Sequence, residues 1–403
     1  MAKRAGFLVV ALVLAGLTAC TDAPADREVG QVPTRSSATP PSSGDTPKLR
    51  VEQVAGGLEH GWDIGFLPDG KVLITQRPAR FALLSGTKPG ATTTQVKADL
   101  SDVFVSGEGG LMGMVVHPDF ERTRRFTTCQ THTENGEPTD IRLVTWRLAE
   151  DGKIATREKE LLTGLPLSSG RHSGCRPTIG PDGELWVGTG DTAQGTIPQD
   201  RTSLGGKVLR LDLDSGEPAP DNPFIDSANA HERYVYSYGH RNIQGVAVRP
   251  GSDQVFTAEH GPDRNDEVNL IQAGRNYGWD PSQGGTVGGY DEGVPMTDLQ
   301  RFPDAVPAKW QSGDTTEAVC AATFLSGDQW GGLNGALVVT ALKGAKVLVL
   351  TLTERGDVAS VAIPTEFDNR FGRLRAARTG PDGALYITTT NGSDDKLLRV
   401  TPA

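Results

Sequence analysis

The chain has 403 residues, a formal net charge of −10, 50 glycines and 26 prolines. The acidic balance argues against a nucleic-acid partner, because phosphate binding needs clustered Lys and Arg. Short Val-, Thr- and Leu-rich runs dominate, and long patterns at the helical period are scarce, so the composition favours β structure.

The first element is "MAKRAGFLVVALVLAGLTAC". Lys3 and Arg4 form a positive start, and Phe7 to Gly16 form an apolar run too short to span a bilayer comfortably. It ends in Leu17-Thr18-Ala19-Cys20, which resembles a bacterial lipobox and implies cleavage before Cys20 and lipid on its sulfur. Residues 1–20 are therefore expected to be a lipoprotein signal peptide, and a membrane contact is expected through the lipid anchor only. Residues 21–47, rich in Pro, Ser, Thr, Ala and Asp without apolar periodicity, read as a flexible tether. An exported chain can carry disulfides. With Cys20 lipidated, an odd number of cysteines remains, and the expectation is a Cys129–Cys175 bridge with Cys320 free.

From about residue 48 a turn followed by an apolar run recurs. The copies are "LPDGKVLIT" from Leu67, "HPDFERTRRFTT" from His117, "GPDGELWVGT" from Gly180, "RPGSDQVFTA" from Arg249, "GLNGALVVTA" from Gly332 and "GPDGALYITT" from Gly380. Pro presets φ, Asp bonds its own backbone and Gly accepts positive φ, so Pro-Asp-Gly suits a tight turn. The spacing leaves room for about four strands per copy, the size of a propeller blade. Residues 48–403 are expected to form one all-β domain, a six-bladed β-propeller, read as a monomer.

The repeats also align polar residues. Ten positions beyond the Pro place of the turn lie Asp191, His260, Lys343 and Asn391. Before the turns lie Glu108, His172, Arg241, Asn242, Arg373 and Arg375. A hairpin returns to the end where it began, so all of these belong to one end of the propeller, and His172 is expected close to Asp191. Four cations on one rim of an acidic protein, beside a His–Asp pair, describe a site for a polyanionic ligand.

Seven stretches in one order then carry a family resemblance: "GEGGLMGMVVHPDF" from Gly107, "RHSGCRPTIGPDG" from Arg171, "GHRNIQG" from Gly239, "EHGPDRNDEVNLI" from Glu259, "NYGW" from Asn276, "TALKG" from Thr340 and "GRLRAARTGPDG" from Gly372. The chain resembles the soluble quinoprotein aldose sugar dehydrogenases of the glucose/sorbosone dehydrogenase family, over nearly all of residues 48–403. That resemblance implies a six-bladed propeller that uses pyrroloquinoline quinone (PQQ), a planar tricarboxylate, and Ca²⁺. It implies that Glu108, Arg241, Asn242, His260, Lys343, Arg373 and Arg375 surround the cofactor. Carbonyls of Gly261 and Pro262 are implied on one calcium, and a second calcium near Glu267 and Tyr277.

The implied reaction oxidises an aldose at C1 to the lactone, with His172 as general base, Asp191 as its orienting partner, hydride passing to the quinone and electrons leaving to an unidentified acceptor. Two positions depart from the family: Glu108, where Gln is usual, and Cys175, where Gly is usual. A carboxylate beside an anionic cofactor is unfavourable unless paired or protonated. The loop Asp280 to Thr316 holds the sugar-selecting positions, and Trp310 reads as packed core or as a sugar platform. Two other readings stay open here: a calcium-dependent propeller hydrolase or lactonase, which needs carboxylates around its metal, and a non-catalytic sugar-binding envelope lipoprotein, which needs no His–Asp pair.

Overall fold

A computed structural model describes residues 47–403. The expected signal peptide, Cys20 and nearly all of the tether lie outside the described residues. Six four-stranded antiparallel sheets make up the fold. The first strands of the blades are Gly61–Phe66, Leu111–Val116, Gly174–Ile179, Ile243–Val248, Val319–Phe324 and Leu374–Thr379. Each touches the first strands of the blades on either side, and the sixth touches the first, so the sheets close a ring. This is a six-bladed β-propeller.

Each of the six repeated turns joins the first and second strands of one blade. In the first, third and sixth blades the turn Asp accepts from a backbone N–H two residues on: Asp69 from Lys71 at 3.2 Å, Asp182 from Glu184 at 3.0 Å, Asp382 from Ala384 at 3.2 Å. Gly70, Gly183 and Gly383 follow with φ of 82°, 87° and 72°, where a side chain would be strained. The second blade, which lacks the Gly, makes a one-turn helix, Phe120–Thr123, instead.

The ring is closed by strand exchange between the chain's ends. Leu49–Leu58 pairs with Asp395–Pro402 as the outer strand of the last blade, from Leu49 opposite Pro402 to Leu58 opposite Asp395. This pairing fastens the ring's seam with backbone hydrogen bonds between strands from the two ends of the domain. The core lies between blade faces, where alternating Leu, Val and Ile meet the next sheet. Each such fully buried side chain stabilises the fold by roughly 1.5–3 kcal/mol. Trp310 belongs to this packing: it pairs with Val268 in a two-residue strand and rests on the core.

Cys129 and Cys175 form a disulfide with Cα atoms 6.1 Å apart, and Cys320 is free and buried, as the sequence reading expected. The bridge joins the second strand of blade two to the first strand of blade three. Near the axis, Asp63 is fully buried between Arg176, at 2.8 Å, and Arg378, at 2.9 Å. The Arg176 guanidinium also lies 4.0 Å from the Trp62 ring centre, a desolvated cation–π contact. This group ties blades one, three and six together across the centre.

Candidate active site

His172 stands just before strand Gly174–Ile179, and Asp191 just after its partner strand Leu185–Thr189. The hairpin brings both to one end, with His172 Nδ1 2.8 Å from Asp191 Oδ1. Gly190 makes this approach possible, since a Cβ there would lie 1.8 Å from the His172 carbonyl oxygen. The Asp191 backbone N–H donates to the Arg241 carbonyl at 2.8 Å, which ties the pair to blade four.

Asp191 is completely buried and its carboxylate is saturated. Oδ1 accepts from His172 and from the Ala193 N–H at 2.8 Å. Oδ2 accepts from Trp279 Nε1 at 2.8 Å and from the Tyr290 hydroxyl at 2.6 Å. An ionised carboxylate offers about four acceptor positions, and all are used. His172 therefore keeps its proton on Nδ1, facing Asp191, and leaves Nε2 as the basic nitrogen.

Four cations, Arg241, Lys343, Arg373 and Arg375, lie at the same end of the propeller. Arg375 is buried in strand Leu374–Thr379; Nη1 donates to Gln244 Oε1 at 3.1 Å, and Nε has no hydrogen-bond partner among the described residues. Arg241 is also buried. Its Nη1 donates to the carbonyls of His260, at 2.8 Å, and Gly261, at 2.9 Å, its Nη2 to Glu292 at 2.8 Å, and Nε to none of the described residues. Lys343 and Arg373 are exposed and make no ion pair with a described residue. Burial, and then repulsion from Arg375, hold the Arg373 guanidinium below its ordinary value. Arg77, from the loop after strand Val72–Gln76, is lowered for the same two reasons.

Asn242 is fully buried and braces the rim: its Oδ1 accepts from the Gly174 N–H at 3.1 Å, and its Nδ2 donates to Glu108 at 3.0 Å. Glu108 also accepts from Gln244 at 3.2 Å. Burial opposes ionisation of Glu108, but His172, His260, the Asn242 bond and Arg375 outweigh it and hold the carboxyl below its usual range. His260 is pushed below its ordinary value by burial first and by Arg241, against the pull of Asp266 and Glu108. Asn391 lies apart from this chemistry; it accepts from the Arg373 N–H at 2.9 Å and braces that loop.

The positions expected to hold calcium are arranged differently from one another. The Gly261 carbonyl accepts from Arg241 and the His260 ring, and Pro262 follows it. The Tyr277 hydroxyl donates to the Leu270 carbonyl at 2.7 Å and accepts from the Gln272 N–H at 2.9 Å, so the phenol is committed to the backbone. Glu267 is buried close to Glu259; burial, and then Glu259, push its carboxyl well above the usual range. Asn269 Nδ2 donates to both carboxylates, and its Oδ1 is buried without a partner. This oxygen-rich, charge-crowded group fits a hard cation in its donor chemistry. Among the described residues, no cluster of three or more His, Cys, Asp or Glu side chains is arranged as a metal site.

Sequence reasoning missed Tyr290, Glu292 and Arg77, and did not assign Trp279 a role. Arg77 falls one residue short of the repeat-aligned position. Tyr290 and Glu292 sit in an irregular segment with no periodicity. The placement of that segment depends on contacts such as Glu292 with Arg241 and Arg171.

One propeller end thus carries a buried His–Asp pair together with Arg241, Lys343, Arg373 and Arg375. The chain belongs to the Glucose / Sorbosone dehydrogenase family, whose pattern it matches over residues 58–399, and is an oxidoreductase of that family. It is 32% identical over 362 residues to the aldose sugar dehydrogenase YliI of Escherichia coli, covering 88% of this chain and 93% of that protein. The crystal structure of the apo-form of the soluble E. coli aldose sugar dehydrogenase superposes with a TM-score of 0.76 at 30% identity, over 88% of this chain and all of that one (100%). The PQQ-bound aldose sugar dehydrogenase of Streptomyces coelicolor superposes with a TM-score of 0.69 at 28% identity, over 90% of this chain and 99% of that one.

Proposed function

We propose that this protein oxidises aldose sugars at C1 to the lactone, with PQQ as the bound oxidant. The observation that supports the reading is the His172–Asp191 pair at the propeller end that also carries Arg241, Arg373, Arg375 and Lys343. The unpartnered Nε of Arg241 and of Arg375, and the free charges of Arg373 and Lys343, fit the carboxylates and quinone oxygens of PQQ. When bound, PQQ supplies an ortho-quinone that takes up two electrons with the sugar's C1 hydrogen.

The chain's own residues handle the proton. His172 Nε2 removes it from the anomeric hydroxyl, a general-base contribution of about 10²–10⁴-fold. Asp191 fixes the ring through Nδ1 and stabilises the imidazolium that forms. With every acceptor position filled, Asp191 orients the ring without taking the proton itself. Asn242 and Glu108 lie beside the rim, and Glu108 adds a negative charge that the rim must offset. Gly261 and Pro262 would offer carbonyls to calcium beside the cofactor, the former in exchange for its present donors, and Glu267 with Tyr277 would mark a second calcium. Lipid on Cys20 and the 21–47 tether would hold the propeller at the outer face of the cell membrane, where an acceptor of unidentified nature collects the electrons.

The test is reconstitution of the full chain with PQQ and Ca²⁺, followed by aldose-driven reduction of a redox dye. Dye reduction that requires both sugar and PQQ is expected. No reduction across a broad aldose panel, with no cofactor absorbance retained on the protein, would refute the reading.

A further inference from the structure

We propose that Tyr290 is a positioning residue for the base, acting on His172 through Asp191; the inference rests on the reading of His172 as that base. The Tyr290 hydroxyl donates to Asp191 Oδ2 at 2.6 Å and lies 3.2 Å from His172 Nδ1. Its ring centre is 5.7 Å from that of His172 and 6.0 Å from that of Trp279, the other donor to Oδ2. Phenol, indole and imidazole thus enclose one carboxylate.

The segment that carries Tyr290 is held on both sides. Asp291 donates through its N–H to the Pro281 carbonyl at 2.9 Å and accepts from Gln283 at 2.7 Å. Glu292 binds Arg241 at 2.8 Å and Arg171 at 2.9 Å, and the Arg171 guanidinium lies 5.9 Å from the Tyr290 ring centre. Burial, and then the charge of Asp191, push the phenol far above its ordinary value, so Tyr290 stays a donor at any working pH.

The consequence is electrostatic. A hydrogen bond from Tyr290 draws negative charge from Asp191 toward Oδ2, away from the oxygen that faces His172. Removing the hydroxyl leaves Oδ2 with Trp279 alone and strengthens the pull of Asp191 on the imidazolium. The other charged groups facing the pair are Glu108, Glu292, Arg171, Arg241 and Lys207, and Tyr290→Phe touches none of them.

Tyr290→Phe in the full chain keeps the ring and removes only the hydroxyl. On the acid side of the turnover–pH profile, turnover is expected to fall about threefold, the size of a move of the acid limb to higher pH by about half a unit, with KM and PQQ affinity within about twofold. In the cofactor-free chain, the Nδ1-bound proton of His172, assigned by its loss in His172→Ala, is expected to shift its NMR resonance. The shift of the limb and the shift of the resonance are both required, and either one staying at its wild-type value overturns the proposal, whatever the rate does. If wild-type protein oxidises no sugar, the functional reading fails by itself, and the cofactor-free resonance alone decides the role of Tyr290.

Discussion

The Glu292 carboxylate sits 2.8 Å from the Arg241 guanidinium, on a cation that the cofactor is proposed to use. Burial opposes the charge on Glu292, but the Arg241 bond and Arg171 hold its carboxyl below the usual range, so it is ionised at neutral pH. It competes for Arg241 with any incoming carboxylate. Glu292→Gln is expected to tighten PQQ binding roughly two- to fivefold, the modest size proper to a partly exposed pair. Equilibrium titration by cofactor absorbance measures it, and weaker binding would mean that Glu292 shapes the site rather than competes for it.

Glu108 is the second negative charge in the ring. It is held by two amides, Asn242 and Gln244, and neither neutralises it. Glu108→Gln preserves the size and one acceptor while removing the charge. PQQ affinity is expected to rise roughly fivefold, as one screened like charge is lost. An unchanged or lower affinity would show that the carboxylate is protonated or otherwise compensated when the cofactor binds.

Asp63 sets an acid limit on stability. Burial raises the cost of its charge, but Arg176 and Arg378 more than offset it, so the folded carboxyl lies below its ordinary 3.8. A depressed acid contributes stability that is complete above the unfolded value and lost as pH falls through the folded one. Asp63→Asn strands the buried Arg176 guanidinium and the half-buried Arg378 guanidinium, and is expected to cost about 3–5 kcal/mol at neutral pH. Denaturant melts from pH 7 downward should show the gap between variant and wild type constant at first, narrowing only below about pH 3.8. A gap that already closes near pH 6 would contradict this assignment.

The Cys129–Cys175 disulfide is a covalent tie between blades, with Cys175 three residues beyond His172. It closes a sequence separation of 46 residues. Cys129→Ser with Cys175→Ser is expected to lower stability by about 3–4 kcal/mol, from the chain entropy regained on unfolding. Urea melts of the double variant check this, and a midpoint equal to that of the oxidised wild type would show that the bridge adds nothing.

The propeller was legible because its turn chemistry repeats: Asp69, Asp182 and Asp382 each make the same local bond, and that bond is encoded within a few residues. The nearness of His172 and Asp191 was legible for the same reason, since a hairpin's length is a count along the chain. The donors that saturate Asp191 were not. Trp279 and Tyr290 reach it from 88 and 99 residues away, through a loop with no periodicity. Nor was the competition at Arg241 legible, because the position of Glu292 depends on how that loop is braced. Trp310 offered two readings on sequence, and only its packing on the core decided between them.

The central claim, that His172 is the base, is tested most directly by His172→Ala, with PQQ affinity and aldose turnover measured on the same preparation. The account predicts cofactor binding within about threefold of wild type and turnover reduced about 10²–10⁴-fold, the range of a lost general base. Sugar oxidation at an undiminished rate, with PQQ bound, would contradict it.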